Sequence, residues 1–200
     1  ATMSRQTALE NEHSALVDWV YQIISTEFAG SNKSLMTLAF AAQVRELGFT
    51  LGLGVDFGID QINAAFVAHS DKSLVLLDDY QQVSYRYLRG EIDLVYEADG
   101  KFFVVDYKSN YLGDKPDDYH QQAMSAAMDK AGYWLQAALY QVALHRLLKI
   151  RLNDYQGNEM QYLGGVEYVF LRGLQADDLT TGHLFWQPSL ELILALDAIL

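Results

Sequence analysis

Between Arg89 and Gly113 the chain reads Arg-Gly-Glu-Ile-Asp-Leu-Val-Tyr-Glu-Ala-Asp-Gly-Lys-Phe-Phe-Val-Val-Asp-Tyr-Lys-Ser-Asn-Tyr-Leu-Gly. Three of these side chains, Asp93, Asp106 and Lys108, combine types and spacing that suit chemistry. At the centre of the stretch, Asp99-Gly100 is a two-residue hairpin turn signal. If those two residues form the loop, Ala98 faces Lys101 and, counting outward, Asp93 faces Asp106. Facing residues on one side of a sheet have Cβ atoms ~4.5–5.5 Å apart. Lys108 lies two residues past Asp106 and shares its face, while Val105 and Tyr107 point the other way. Two like charges placed opposite one another are destabilising and call for a compensating cation. Lys108 is one candidate and a divalent metal is another; Mg²⁺ is commonly held by one or two carboxylates plus water and phosphate oxygens. A metal here would polarise a phosphoryl oxygen and generate a hydroxide nucleophile. Lys108 would then position the water or stabilise charge developing on phosphorus. The apolar flanks Ile92, Leu94, Phe103, Val104 and Val105 mark a core hairpin. On residue types alone, a solvated strand face and a metal-dependent phosphodiester site both remain open.

The elements that must position this hairpin follow from periodicity. Residues 9–28 read as an amphipathic helix, with Leu16, Trp19, Val20, Ile23 and Ile24 at helical spacing. Residues 43–54 read as a strand in which Phe49, Leu51 and Leu53 alternate. Residues 57–69 suit a short helix, and 84–97 and 101–109 are strands. Two helices follow at 117–130 and 132–152; the second carries Leu135, Leu139, Val142, Leu144 and Leu147. A strand at 164–172 and a closing helix at 188–199 complete an interleaved α/β pattern. The sequence shows neither an internal repeat nor a linker.

Composition narrows the function. The 200 residues suit one domain, and half of them are apolar. With 14 Lys and Arg against 26 Asp and Glu, the net charge is −12, opposite in sign to a domain that grips nucleic acid by its own surface. The absence of Cys excludes thiol nucleophiles, cysteine-ligated zinc and Fe–S clusters. It also fits a reducing compartment, and a cytoplasmic location is expected. No Gly-x-x-x-x-Gly-Lys-Ser/Thr occurs, so ATP has no P-loop here. No apolar run reaches the ~18 residues of a membrane span, and the first residues read as a boundary rather than a leader.

Gly90-x-x-Asp93 followed by Asp106-Tyr107-Lys108 resembles the motif of the PD-(D/E)XK nucleases. Within that group, Asp106-Tyr107-Lys108-Ser109-Asn110-Tyr111-Leu112-Gly113 is similar to the RecB family, whose C-terminal nuclease domain belongs to the beta subunit of exodeoxyribonuclease V. The likeness continues through Gln121-Gln122-Ala123-Met124, Leu135-Gln136-x-x-Leu139-Tyr140, Ala143-Leu144-His145-Arg146 and Gly164-Gly165-Val166-x-Tyr168-x-Phe170-Leu171-Arg172-Gly173. It covers about residues 15–200.

The resemblance implies a restriction-endonuclease-like α/β fold, with a central mixed sheet flanked by helices, spanning residues 1–200 as a single domain shortened at its N-terminus. It implies Asp93 and Asp106 as metal-binding carboxylates, the backbone carbonyl of Tyr107 as a further ligand, and Lys108 as the catalytic lysine. Gln136 and Tyr140 match a Gln-x-x-x-Tyr motif on one helix face, close to the substrate strand. Glu46 matches a family glutamate, and Arg172 would contact phosphate. The implied cofactor is Mg²⁺. The implied activity is DNA phosphodiester hydrolysis in a helicase–nuclease acting in double-strand-break resection and recombinational repair. Helicase domains would deliver the DNA, alongside the other subunits of the complex and a RecA-type recombinase, with no membrane involved. The alternative is a non-catalytic scaffold of the same fold, or a docking module for recombinase loading. The family's upstream histidine ligand is expected either before this chain begins or at His13. If it is missing, the chain by itself would bind metal weakly and show little activity.

Overall fold

The computed structural model describes residues 2–54, 58–74, 87–175, 178 and 180–200, with side-chain placement from residue 13 onward. The elements run α1 (Thr2–Ser25), β1 (Gln43–Gly52), α2 (Ile59–His69), β2 (Tyr87–Ala98), β3 (Lys101–Lys108), α3 (Gln121–Ala131), α4 (Tyr133–Arg151), α5 (Glu159–Tyr162), β4 (Leu163–Phe170), β5 (His183–Trp186) and α6 (Leu190–Ile199). Short 3₁₀ turns cover Phe40–Ala42 and Pro116–Tyr119. The expected strand start at 84–86 lies outside the described residues.

The five strands form one mixed sheet in sequence order, β1-β2-β3-β4-β5. All neighbours are antiparallel except β3 and β4, which are parallel. A parallel pair needs a crossover, and α3, α4 and α5 supply it. All eight residues of β4 are buried, as expected of an inner strand covered on both faces.

The turn that sets the hairpin register is built as its residues dictate. Asp99 and Gly100 have φ of 52° and 82°, the left-handed pair of a type I′ turn, whose twist matches that of the flanking strands. The ladder then runs from Ala98↔Lys101 to Leu94↔Val105, the register expected from the sequence.

Two cores flank the sheet. The larger packs α2, α3, α4 and α6 against one face through Phe66, Met124, Met128, Trp134, Leu144 and Leu192, joined by Val95, Val104 and Tyr168 from the strands. The smaller covers the opposite face with Phe28, Leu94, Tyr96, Phe103, Val105 and Val169. Helix α1 forms as expected, and its apolar stripe is largely exposed. Leu16, Trp19 and Val20 are 41–54% exposed, and only its last turns reach the smaller core, through Ile23. Strand β5 and helix α5 were not anticipated from the sequence.

Candidate active site

The hairpin register and the pleat put Asp93, Asp106 and Lys108 on the face of the larger core, while Val105 and Tyr107 join the smaller one. Asp106 and Lys108 are buried, at 4% and 8% exposure. Two ionisable groups at that depth need partners, and the structure supplies a closed ring of them. Lys108 Nζ lies 2.8 Å from Asp106 Oδ2. It also donates to Gln136 Oε1 at 3.0 Å. Gln136 Nε2 donates to Tyr140 Oη at 2.8 Å, and the Tyr140 hydroxyl donates to Asp106 Oδ1 at 3.2 Å. Gln136 and Tyr140 reach the same pair because they lie four apart on α4, one turn over the sheet. The Tyr140 ring is held edge-on by Phe49 of β1, centroids 5.9 Å apart. Phe49 in turn lies across Gly90, where any Cβ would collide with its ring, so glycine at 90 gives the aromatic its seat.

Asp93 is half-buried beside this ring. Its Oδ2 accepts the backbone N–H of Tyr107 at 2.8 Å, so a side chain takes over from the ladder just past its last pair. The Asp106 carboxyl senses its surroundings. Burial raises the Asp106 pKa most, the Lys108 ammonium and the Tyr140 hydroxyl oppose that, and the Asp93 charge raises it further. The Tyr140 hydroxyl is pushed up by burial and by the Asp106 charge, which keeps it a neutral donor.

Two members of the site were not singled out from the sequence. Lys108 Nζ lies 3.7 Å from the Tyr133 ring centroid and 5.2 Å from that of Tyr168, an aromatic cradle for the ammonium. Tyr168 Oη is also within hydrogen-bonding distance of Gln136 Oε1 (3.2 Å) and of the Tyr133 carbonyl (3.0 Å). The Tyr133, Gln136, Tyr140 spacing on α4 was a legible signal. Tyr168 was not, because it faces Asp106 only through the parallel β3–β4 register.

The remaining expected site residues lie apart from the ring. Glu46 is exposed and left-handed (φ 52°), flanked by Arg45↔Leu94 and Leu47↔Ile92, so it falls opposite Asp93 in the β1–β2 register. Arg172 is exposed, and its Nε donates to the Ser109 carbonyl at 3.2 Å. His13 is exposed on α1. Among the described residues no group of three or more His, Cys, Asp or Glu is gathered as a cation cage. The donor set that is gathered, two neighbouring carboxylates of which Asp93 gives one oxygen to the Tyr107 N–H and Asp106 gives one oxygen each to Lys108 and Tyr140, leaves few lone pairs free and suits a hard divalent ion that keeps much of its water.

Residues 4–183 match the PD-(D/E)XK nuclease superfamily. The chain belongs to this superfamily. The match takes in β1–β4, α2–α5 and nearly all of α1, and ends at the first residue of β5, short of α6. Among curated relatives, the chain is 34% identical over 186 residues to RecBCD enzyme subunit RecB of Haemophilus influenzae, covering 92% of this chain and 15% of that protein. It is 33% identical over 183 residues to the Escherichia coli subunit, covering 91% and 15%. It is 43% identical over 121 residues to that of Mycobacterium tuberculosis, covering 57% and 11%. The chain thus spans about 15% of the length of the first two relatives, and the PD-(D/E)XK assignment describes that portion.

Proposed function

We propose that this chain is a single nuclease domain that hydrolyses DNA phosphodiester bonds with Mg²⁺, in the manner of exodeoxyribonuclease V. The observation behind this reading is the closed Asp106–Lys108–Gln136–Tyr140 ring with Asp93 beside it. A structural scaffold has no need of a buried carboxylate–ammonium pair with a second carboxylate alongside, since apolar side chains of similar volume serve stability at least as well.

In this reading Asp93, Asp106 and the Tyr107 carbonyl hold the divalent ion, which when bound supplies Lewis-acid polarisation of the phosphoryl oxygen. The chain's own residues do the rest. Lys108, fixed by Gln136 and the two tyrosine rings, orients the attacking water and offsets charge gathering on phosphorus. Tyr140 and Gln136 hold Asp106 and Lys108 in one geometry, so little reorganisation is needed at the moment of reaction. The water oxygen bonds to phosphorus as its proton passes to solvent, the bond to the 3′-oxygen breaks, and that oxygen takes up a proton, leaving a 3′-hydroxyl and a 5′-phosphate.

The name of these relatives places RecB in the RecBCD enzyme. We extend this to a helicase–nuclease in the cytoplasm that resects double-strand breaks for recombinational repair. The net charge of −12 supports delivery of the strand by motor domains rather than capture by this domain alone. A second reading, docking of a protein such as a recombinase, is favoured by one observation, the exposed Leu16, Val17, Val20 and Tyr21 on α1. The two are compatible. The test of the nuclease reading is Mg²⁺-dependent cleavage of end-labelled DNA by the parent chain and by Asp106→Asn. Cleavage that disappears in the variant supports it, and cleavage that persists refutes it.

A further inference from the structure

Where the parallel strands β3 and β4 end, a groove of about 420 Å³ opens, lined in part by Trp19, Ser109, Tyr111, Asp114 and Arg172. Its volume lies in the range of small-ligand sites, and the carboxyl ends of parallel strands are where α/β folds place ligands. It begins one residue beyond the lysine of the site. The Leu171 N–H donates to the Lys108 carbonyl at 3.0 Å, Arg172 Nε donates to the Ser109 carbonyl at 3.2 Å, and Trp19 Nε1 donates to the Leu171 carbonyl at 3.3 Å.

Two features of this groove are unexplained by folding. Its aromatics are exposed, Trp19 at 41% and Tyr111 at 63%. They are nevertheless held in place. The Tyr111 hydroxyl donates to Asp114 Oδ1 at 2.8 Å, and the loop carrying it is tied down where the Leu112 N–H donates to the Tyr119 hydroxyl at 3.2 Å. Fixed, exposed aromatic faces beside a guanidinium are what an unstacked nucleobase and its phosphate require.

We propose that this groove is a nucleotide subsite that takes an unpaired base of the cleaved strand against Trp19 and Tyr111, with a neighbouring phosphate on Arg172. The inference rests on the nuclease reading and adds to it a place where the strand is held: the groove takes a base whose faces are free, since bases within a duplex do not offer theirs to side chains. Arg172 and Asp114 balance in charge, so stacking supplies most of the affinity. Binding is tolerant of base identity, and its salt dependence corresponds to about one phosphate contact, a slope near −0.7 for a single strand.

The test uses the whole chain without divalent metal and a short single-stranded oligonucleotide carrying iododeoxyuridine, which photocrosslinks to stacked aromatics. Peptide mapping is expected to find adducts on Trp19 and Tyr111. By anisotropy at low salt, Tyr111→Leu is expected to bind about tenfold more weakly. Tyr111→Phe, which keeps the ring and loses only the Asp114 hydrogen bond, binds more tightly than Tyr111→Leu. Arg172→Gln flattens the salt dependence. Adducts at neither aromatic, or a Tyr111→Leu chain that binds like the parent, would overturn the subsite. The readout does not depend on cleavage. Adducts at the groove without Asp106-dependent cleavage would retain the subsite and sink the nuclease reading, whereas Asp106-dependent cleavage without those adducts would do the reverse.

Discussion

The two faces of the central strands solve the same problem, a buried ionisable group, in opposite ways. On the α4 face, Asp106 and Lys108 keep company with each other, with Gln136 and Tyr140, and with two tyrosine rings. On the other face, Glu167 and His183 are more deeply buried, at 0% and 1% exposure; Glu167 Oε1 accepts the Gly30 N–H, and among the described residues Glu167 Oε2 and both ring nitrogens of His183 have no hydrogen-bond partner. There burial disfavours the charged forms: it raises the Glu167 pKa to about 7 and lowers that of His183 to about 4. One face therefore holds charge in a fixed geometry, as a reaction centre requires. The other only tolerates polar groups, and ties its stability to pH.

The largest expected effect breaks the partnered face. Lys108→Met leaves the Asp106 carboxylate buried beside Asp93, and removing one member of a buried pair costs about 3–5 kcal/mol. Urea unfolding at neutral pH should show that loss, and adding Asp106→Asn to Lys108→Met should recover part of it. If Lys108→Met unfolds at the parent's urea midpoint, the ring has no structural weight.

The opposite face is tested by pH. The Glu167 pKa is raised on folding from 4.5 to about 7, so its contribution is fully present below pH 4.5 and is lost as pH rises through about 7. The His183 pKa is lowered from 6.5 to about 4, so its contribution is present above pH 6.5 and is lost as pH falls through about 4. Each swing is about 3 kcal/mol. Between pH 4.5 and 6.5 the two slopes oppose each other. Glu167→Gln should therefore unmask an acid-sensitive chain, with stability falling steadily as pH drops from 6.5, and should be more stable than the parent at pH 8. A parent and variant with the same stability–pH curve would contradict the neutral-carboxyl account.

Two smaller effects sharpen the site itself. Gly90→Ala drives a methyl into the Phe49 ring and should cost about 1–3 kcal/mol of thermal stability through overpacking. The shift should be relieved when Phe49→Leu is added. Tyr140→Phe removes the hydroxyl that bridges Gln136 and Asp106 and should cost about 1 kcal/mol, read from the same urea midpoints.

Much of the site was legible because it is local. An Asp-Gly turn fixes a hairpin register without reference to the rest of the chain, and the pleat then assigns every side chain of β2 and β3 to a face. Helix spacing likewise put Gln136 and Tyr140 on one side of α4. What the sequence hid depends on long-range pairing. Tyr168 meets Asp106 only because β4 docks parallel to β3, with a register shift at Phe102/Phe103 that no turn dictates. Strand β5 is four residues long, buried at three of them, and too short for alternation to show. The apolar stripe of α1 marked the helix, but an amphipathic pattern specifies a helix with an apolar face and not what covers it.

The central claim is that Asp93 and Asp106 jointly hold a divalent cation next to Lys108. Electron paramagnetic resonance of Mn²⁺ titrated into the chain, with Asp93→Asn and Asp106→Asn alongside, tests it without reference to cleavage. The account predicts a bound Mn²⁺ signal in the parent, with affinity weakened roughly tenfold or more in each single variant. Mn²⁺ bound equally well by the parent and both variants would contradict it.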